Sequence, residues 1–172
     1  FRSELGLFPL DTTDDESAHI LAKFKRKHLL RIAIRDLLQF GSLAEVTEEL
    51  SNLTDAILQG GQEHIQRQLI TKLESISGRK WSRDAKSQFV VIALGKLGGR
   101  ELNYSSDIDL MYMYGTGKRT EPLRISGQNF FIQLAQRLTR ILSQITPDGS
   151  CFRVDLRLRP EGESGELALS IK

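Results

Sequence analysis

Apolar and polar positions divide the chain into two halves with different periods. Between Thr12 and Gly41 the side chains of Ile20, Phe24, Leu30, Ile34, Leu37 and Leu38 recur near the 3.6-residue repeat of a helix. Asp14, Asp15 and Glu16 stand at its front and Gly41 at its end, matching the helix dipole and the left-handed turn that closes a helix. A second helix is predicted from Ser42, which has the capping-box spacing to Glu45. Leu43, Val46, Leu50, Leu53 and Ile57 follow on one face. Gly60 and Gly61 are expected to loosen or break it, since glycine is about 1 kcal/mol worse than alanine inside a helix. The pattern resumes weakly through Ile65, Leu69 and Leu73, and "SGRKWSRD" reads as a polar connector.

The period changes at Gln88. "FVVIALG" is a short β-branched run of the kind found in a strand buried on both faces, and "DIDLMYMYG" is a second strand. After the turn-rich "GTGKRTEP" comes an amphipathic helix that Ser126 can cap, with Phe130, Phe131, Leu134, Leu138, Ile141, Leu142 and Ile145 in one stripe. "TPDGS" is a turn. "CFRVDLRLRP" alternates as a third strand, with Phe152, Val154, Leu156 and Leu158 on one face and Arg153, Asp155, Arg157 and Arg159 on the other. The fold class expected is α+β, a helical N-terminal segment packed on a small mixed sheet.

Composition narrows the picture little. The 172 residues are 40% hydrophobic and 27% charged, enough for a real core and against disorder. A net charge of +2 argues against a nucleic-acid binder, and "KFKRKH" reads as a solvated helix face. No apolar run approaches a membrane span, and the single cysteine, Cys151, fits a reducing cytoplasm. The chain opens on Phe1 and stops at "LALSIK", which reads as another strand, so one module of a longer protein is expected.

The candidate chemistry lies where the second strand starts. Asp107 and Asp109 are two residues apart, so a strand would set them side by side while Ile108 and Leu110 enter the core. Adjacent carboxylates repel unless something compensates, and a divalent cation does so. Asp155 is a natural third carboxylate if an antiparallel neighbour brings it alongside. Three carboxylates can hold metal ions for phosphoryl displacement. Gly98 and Gly99 would let backbone approach a polyphosphate, and "RELNYSS" could form a short helix facing an anion. Ser105 or Ser106 could add a hydroxyl; Lys96, Arg157 and Arg159 could neutralise phosphate. Dinucleotide and P-loop spacings are absent, no Cys–His cluster suggests zinc, and His19, His28 and His64 read as structural or solvated.

Gly-Gly, Asp-x-Asp at a strand start and a lone later aspartate resemble the nucleotidyltransferases of the DNA polymerase β superfamily. More specifically, "GKLGGRELNYSSDIDLMY" and "FRVDLRLRPEGESGEL" resemble two segments of the glutamine synthetase adenylyltransferase family, and "FKRKHLLRIAIRDLL" also looks familial. The resemblance runs from about residue 20 to the end. It implies a helical segment over 1–80 and a catalytic core over 81–172, truncated relative to the family. Asp107, Asp109 and Asp155 would be catalytic metal ligands for Mg²⁺ or Mn²⁺, and Gly98, Gly99 and Ser106 the phosphate-side loop. ATP or ADP would be substrate or product, glutamine synthetase the partner, and a PII-type signalling protein a further candidate partner. "SSDIDL" and "RPEGESG" look more like the family's module that removes AMP from a tyrosine by phosphorolysis than like its ATP-dependent adenylylating module. A nucleotidyltransferase for another acceptor and a non-enzymatic nucleotide-sensing module are the alternatives.

Overall fold

The computed structural model describes residues 1–6, 8–78, 80, 89–115 and 127–171. A short helix α1 (Arg2–Leu5) precedes two long ones, α2 (Asp14–Leu37) and α3 (Leu43–Ser77). Strand β1 (Phe89–Leu94) runs directly into a single turn of helix, α4 (Gly95–Gly98), and a loop then leads to β2 (Ile108–Gly115). Helix α5 (Gly127–Ser143), the two-residue strand β3 (Val154–Asp155) and β4 (Ala168–Ile171) complete the order. Among the described residues no helix is long and apolar enough to cross a membrane. The connector residues 81–84, most of "GTGKRTEP" and the expected cap Ser126 lie outside the described residues.

Both long helices start as their sequences dictate. Thr13 accepts from the Glu16 backbone N–H while Glu16 reaches back to Thr13, and Ser42 and Glu45 repeat the arrangement. The ends differ from expectation. Helix α2 stops before Gly41, in a Schellman turn: Phe40 N–H reaches Arg35 O and Gln39 N–H reaches Asp36 O, both at 2.9 Å, with Gln39 in the left-handed conformation at φ 56°. Gly60 and Gly61 do not break α3. A Cβ at Gly60 would overlap Leu5 of α1, and one at Gly61 would meet Leu138 at 3.1 Å and Ile141 at 3.4 Å. The pair therefore lets α1 and α5 press onto the α3 backbone, and the packing gained offsets the helix-propensity cost.

The face that α2 buries is also not the predicted stripe. Ser17, Ala18, Leu21, Ala22, His28 and Ile32 are its buried side chains, His28 against Phe1 and Glu4 of the N-terminal segment, and Ile20 and Phe24 pack at the margin. Leu30, Ile34, Leu37 and Leu38 point outward, Leu37 being 83% exposed, and Leu43 of α3 is exposed too. Ser17, Ala18 and Ala22 keep the first half of the inner face small, while Leu21 and Ile32 fill the core. Most of the remaining predicted core is inside: Val46, Leu50, Leu53, Ile57, Ile65, Leu69 and Leu73 on α3, and the α5 stripe from Phe130 to Leu142. Ile145 is exposed because the helix ends before it.

The sheet has β2 at its centre. β1 lies antiparallel to it, with Phe89 opposite Tyr114 and Leu94 opposite Asp109. β3 and β4 run parallel to β2 and share its other edge, β3 beside Ile108–Asp109 and β4 beside Tyr112–Gly115. The expected antiparallel neighbour is thus a parallel one, because α5 forms the crossover that a parallel pair requires. Ile108, Leu110, Tyr112 and Tyr114 alternate onto the inner face, where Tyr114 stacks on Phe131 at 4.7 Å between ring centroids and Tyr112 bonds Thr139 at 2.8 Å. β1 is not buried on both faces: only its Phe89, Val91 and Ala93 side packs on the core, and Val90 is 46% exposed. The third strand is shorter than its alternation suggests. After Asp155 the chain turns, so Leu158 is exposed and Arg159 N–H bonds Leu156 O.

Candidate active site

Asp109 and Asp155 are register partners on adjacent parallel strands, so both lie on the outer face of the sheet. Ile108 and its partner Val154 take the opposite side. Asp107 stands one residue before β2, and Ile108 N–H donates to Arg153 O at 3.0 Å, locking the two strand starts together. Asp107, Asp155, Arg157 and Arg159 line one open cavity of about 300 Å³ with Val154 and Leu156. A cavity of about 620 Å³ at the N-terminal end of α2 shares no residue with it.

Each aspartate has a distinct environment. Arg153 Nε donates to Asp107 Oδ1 at 2.5 Å. Asp155 receives the Arg157 side chain through Nε and Nη2, and also the Arg157 backbone N–H at 2.8 Å. Those bonds, the side-chain ones foremost, hold the Asp155 carboxyl down at about 2. Asp109 Oδ2 lies against Gly95, where a Cβ would overlap it; Gly95 also has φ 55°, so both the backbone and the space call for glycine. Oxygen-only donors suit a hard divalent cation, and the strand register brings two of them together. The rotamers of Asp107 and Asp155 are instead turned to arginine. Among the described residues no group of three or more Asp, Glu, His or Cys side chains is gathered closely enough to hold a metal ion.

The other predicted residues are dispersed around this centre. Gly98 serves chain packing: a Cβ there would lie 2.6 Å from Ala93 O, so α4 can fold back on β1 only with glycine. Gly99 is open, its nearest neighbour at 3.6 Å. Lys96 is exposed on α4, and neither it nor the glycines line the 300 Å³ cavity. "RELNYSS" is not a helix. Asn103 Oδ1 accepts from Ser106 Oγ at 2.7 Å and Ser105 N–H at 3.2 Å, an Asx turn that leads into Asp107. Arg159 binds its own turn, donating to Leu156 O at 2.8 Å and Gly165 O at 3.4 Å.

Reasoning from the sequence missed what fixes the loop before Asp107. Arg100, at φ 61°, reaches Glu48, Asn52 and Asp55 on α3, and the two carboxylates, Glu48 foremost, raise its already high pKa further. Leu102 is buried, and Tyr104 donates to Asp36 on α2 at 2.9 Å. The long helices thus hold the loop that delivers the first aspartate. Asn-Tyr-Ser-Ser carried the Asx-turn signal, and a glycine directly after an apolar strand marked Gly95; nothing local marked Arg100.

The profile of the family described as glutamate-ammonia ligase adenylyltransferase matches residues 5–172. Proteins named bifunctional glutamine synthetase adenylyltransferase/adenylyl-removing enzyme are similar throughout. That of Shewanella oneidensis is 40% identical over 92% of this chain and 17% of its own length. That of Nitrosococcus oceani is 41% identical over 92% and 16%, and that of Pseudomonas aeruginosa 41% identical over 98% and 17%. The chain spans about a sixth of the length of these relatives. With the family profile covering nearly every residue, the chain belongs to the glutamate-ammonia ligase adenylyltransferase family.

Proposed function

We propose that this chain is a nucleotidyltransferase module that removes AMP from a tyrosine of adenylylated glutamine synthetase by phosphorolysis, in the cytoplasm. The observation that carries the reading is the pairing of Asp109 with Asp155 beside a cavity that also takes in Asp107, Arg157 and Arg159. The direction rests on "SSDIDL" and "RPEGESG"; transfer from ATP by the same residues is the second reading, favoured by the adenylyltransferase half of the relatives' names. A PII-type protein is proposed as regulator on the family resemblance alone.

Asp107, Asp109 and Asp155 would hold a Mg²⁺ or Mn²⁺ ion, which when bound neutralises phosphate charge and polarises the reacting phosphorus. The protein's own part is positioning and charge. Arg157, exposed at the cavity, binds an incoming phosphate by its planar fork. Arg159, fastened to its turn, keeps the cavity wall positive. A phosphate oxygen forms a bond to the AMP phosphorus as the bond to the tyrosine oxygen breaks. The phenolate leaves and takes up a proton, and ADP is released. With no covalent intermediate, the rate depends on alignment and electrostatics.

Adenylylated glutamine synthetase incubated with the chain, phosphate and Mg²⁺ is expected to yield ADP and unmodified tyrosine. ADP absent there, but AMP incorporated from ATP into unmodified glutamine synthetase, reverses the direction. Neither product with either pair rejects the reading.

A further inference from the structure

Arg153 and Arg157 flank Asp155 at two residues on either side, and each binds a different member of the aspartate trio. Both arginine side chains are mostly in solvent, Arg153 being 77% and Arg157 72% exposed, whereas the aspartate side chains they hold are more covered, at 47% for Asp107 and 19% for Asp155. Long exposed side chains are therefore attached to comparatively fixed acids. Asp155 is fixed independently of the arginine side chain, because the Arg157 backbone N–H also binds its Oδ1. Arg159 differs: its guanidinium is bonded to main-chain carbonyls of its own turn.

We propose that Arg153 and Arg157 are exchangeable counter-cations of the site, neutralising Asp107 and Asp155 until a divalent cation takes those carboxylates, and then binding a phosphate group of the substrate. The inference rests on the nucleotidyltransferase reading and assigns a binding role to Arg153, which the family motifs did not single out. Its physical basis is competition. One carboxylate cannot serve both a guanidinium and an inner-sphere metal on the same oxygen without sharing charge, and an exposed ion pair is weak enough to be displaced. The released guanidinium groups sit at the cavity mouth, where a planar fork matches phosphate oxygens.

The test is Mn²⁺ titration by calorimetry or spin resonance on the wild type, Arg153→Gln, Arg157→Gln and the double variant, with circular dichroism melts to confirm folding. Each single change is expected to tighten Mn²⁺ about twofold to fivefold, the equilibrium equivalent of one exposed ion pair, and the double change about tenfold. Adding Asp109→Asn to the double variant should abolish the gain. With Mn²⁺ saturating, inorganic phosphate should bind the double variant at least threefold more weakly. Mn²⁺ affinity unchanged or weakened in the folded arginine variants, with the wild type binding normally, overturns the exchange and leaves the metal reading standing. No Mn²⁺ bound by any of the four proteins overturns both.

Discussion

Of three glycines within five residues, Gly95 and Gly98 have different structural reasons to be glycine and Gly99 has none, and alanine substitution separates them. Gly95→Ala forces a non-glycine residue to φ 55° and pushes a methyl group into Asp109 Oδ2. Left-handed backbone costs about 1–2 kcal/mol, and the carboxylate can escape only by rotating out of its place beside Asp155. Gly98→Ala has an ordinary backbone but sets a Cβ 2.6 Å from Ala93 O, a main-chain atom that cannot swing away; overpacking of that kind costs about 1–3 kcal/mol. Gly99→Ala meets nothing closer than 3.6 Å at φ −80°, and the stiffer unfolded chain should leave it neutral or stabilised by up to about 1 kcal/mol. Urea unfolding at constant m-value gives the stabilities, and Mn²⁺ titration of each folded variant gives the site. The expected order of stability is Gly99→Ala first, with the other two at least about 1 kcal/mol below it. Mn²⁺ binding should fall in Gly95→Ala and persist in Gly99→Ala. Equal stability for all three, or Gly99→Ala the most damaged, would refute the assignment of these contacts.

The buried face of α2 is tested by Ile32→Ala, expected to cost about 2–5 kcal/mol, against Leu37→Ala, expected within about 0.5 kcal/mol in the same unfolding assay. His64 is buried against Phe8 with Ser17 Oγ at 3.1 Å, and burial first, then the Arg67 and Arg137 charges, lowers its pKa to about 4. The unfolded chain therefore binds the extra proton between about pH 6.5 and 4: the contribution is complete above that window and is lost as pH falls through it. Wild type should lose about 1–2 kcal/mol more than His64→Gln between pH 7 and 5; parallel pH profiles would contradict this. Asp109→Asn should remove nucleotidyl transfer while leaving the melting temperature within a few degrees, since Asp109 lies on β2 and pairs with no cation among the described residues. Turnover near that of the wild type would reject its role as a ligand.

What the sequence made legible was local. Ser42 with Glu45 announced the start of α3, and the alternation from Ile108 to Tyr114 announced β2 and the faces of its side chains. Asp155 was assigned to the correct face on alternation alone, although the strand beside it was expected in the opposite direction. The misses were matters of tertiary packing. Two apolar stripes compete on α2, and the choice between them is made by the packing of α1, α3 and α5, not by the helix's own pattern. Gly60 and Gly61 read as helix breakers until Leu5 and Leu138 are seen filling the space above them. Arg153 looked like part of a charged strand face; that it binds Asp107 is set by the register of β3 on β2, which no local pattern encodes, whereas Arg157 folds back onto Asp155 two residues before it.

The central claim is that the carboxylates of residues 107, 109 and 155 form one cation-binding centre at the start of β2. The most direct measurement is a crystal structure of the chain soaked with Mn²⁺ and ADP, read through the anomalous signal of manganese. The expected peak lies about 2.1 Å from oxygens of all three side chains, with an ADP phosphate on the same ion. Manganese bound elsewhere, with Asp107 and Asp155 still paired to Arg153 and Arg157, would contradict the account.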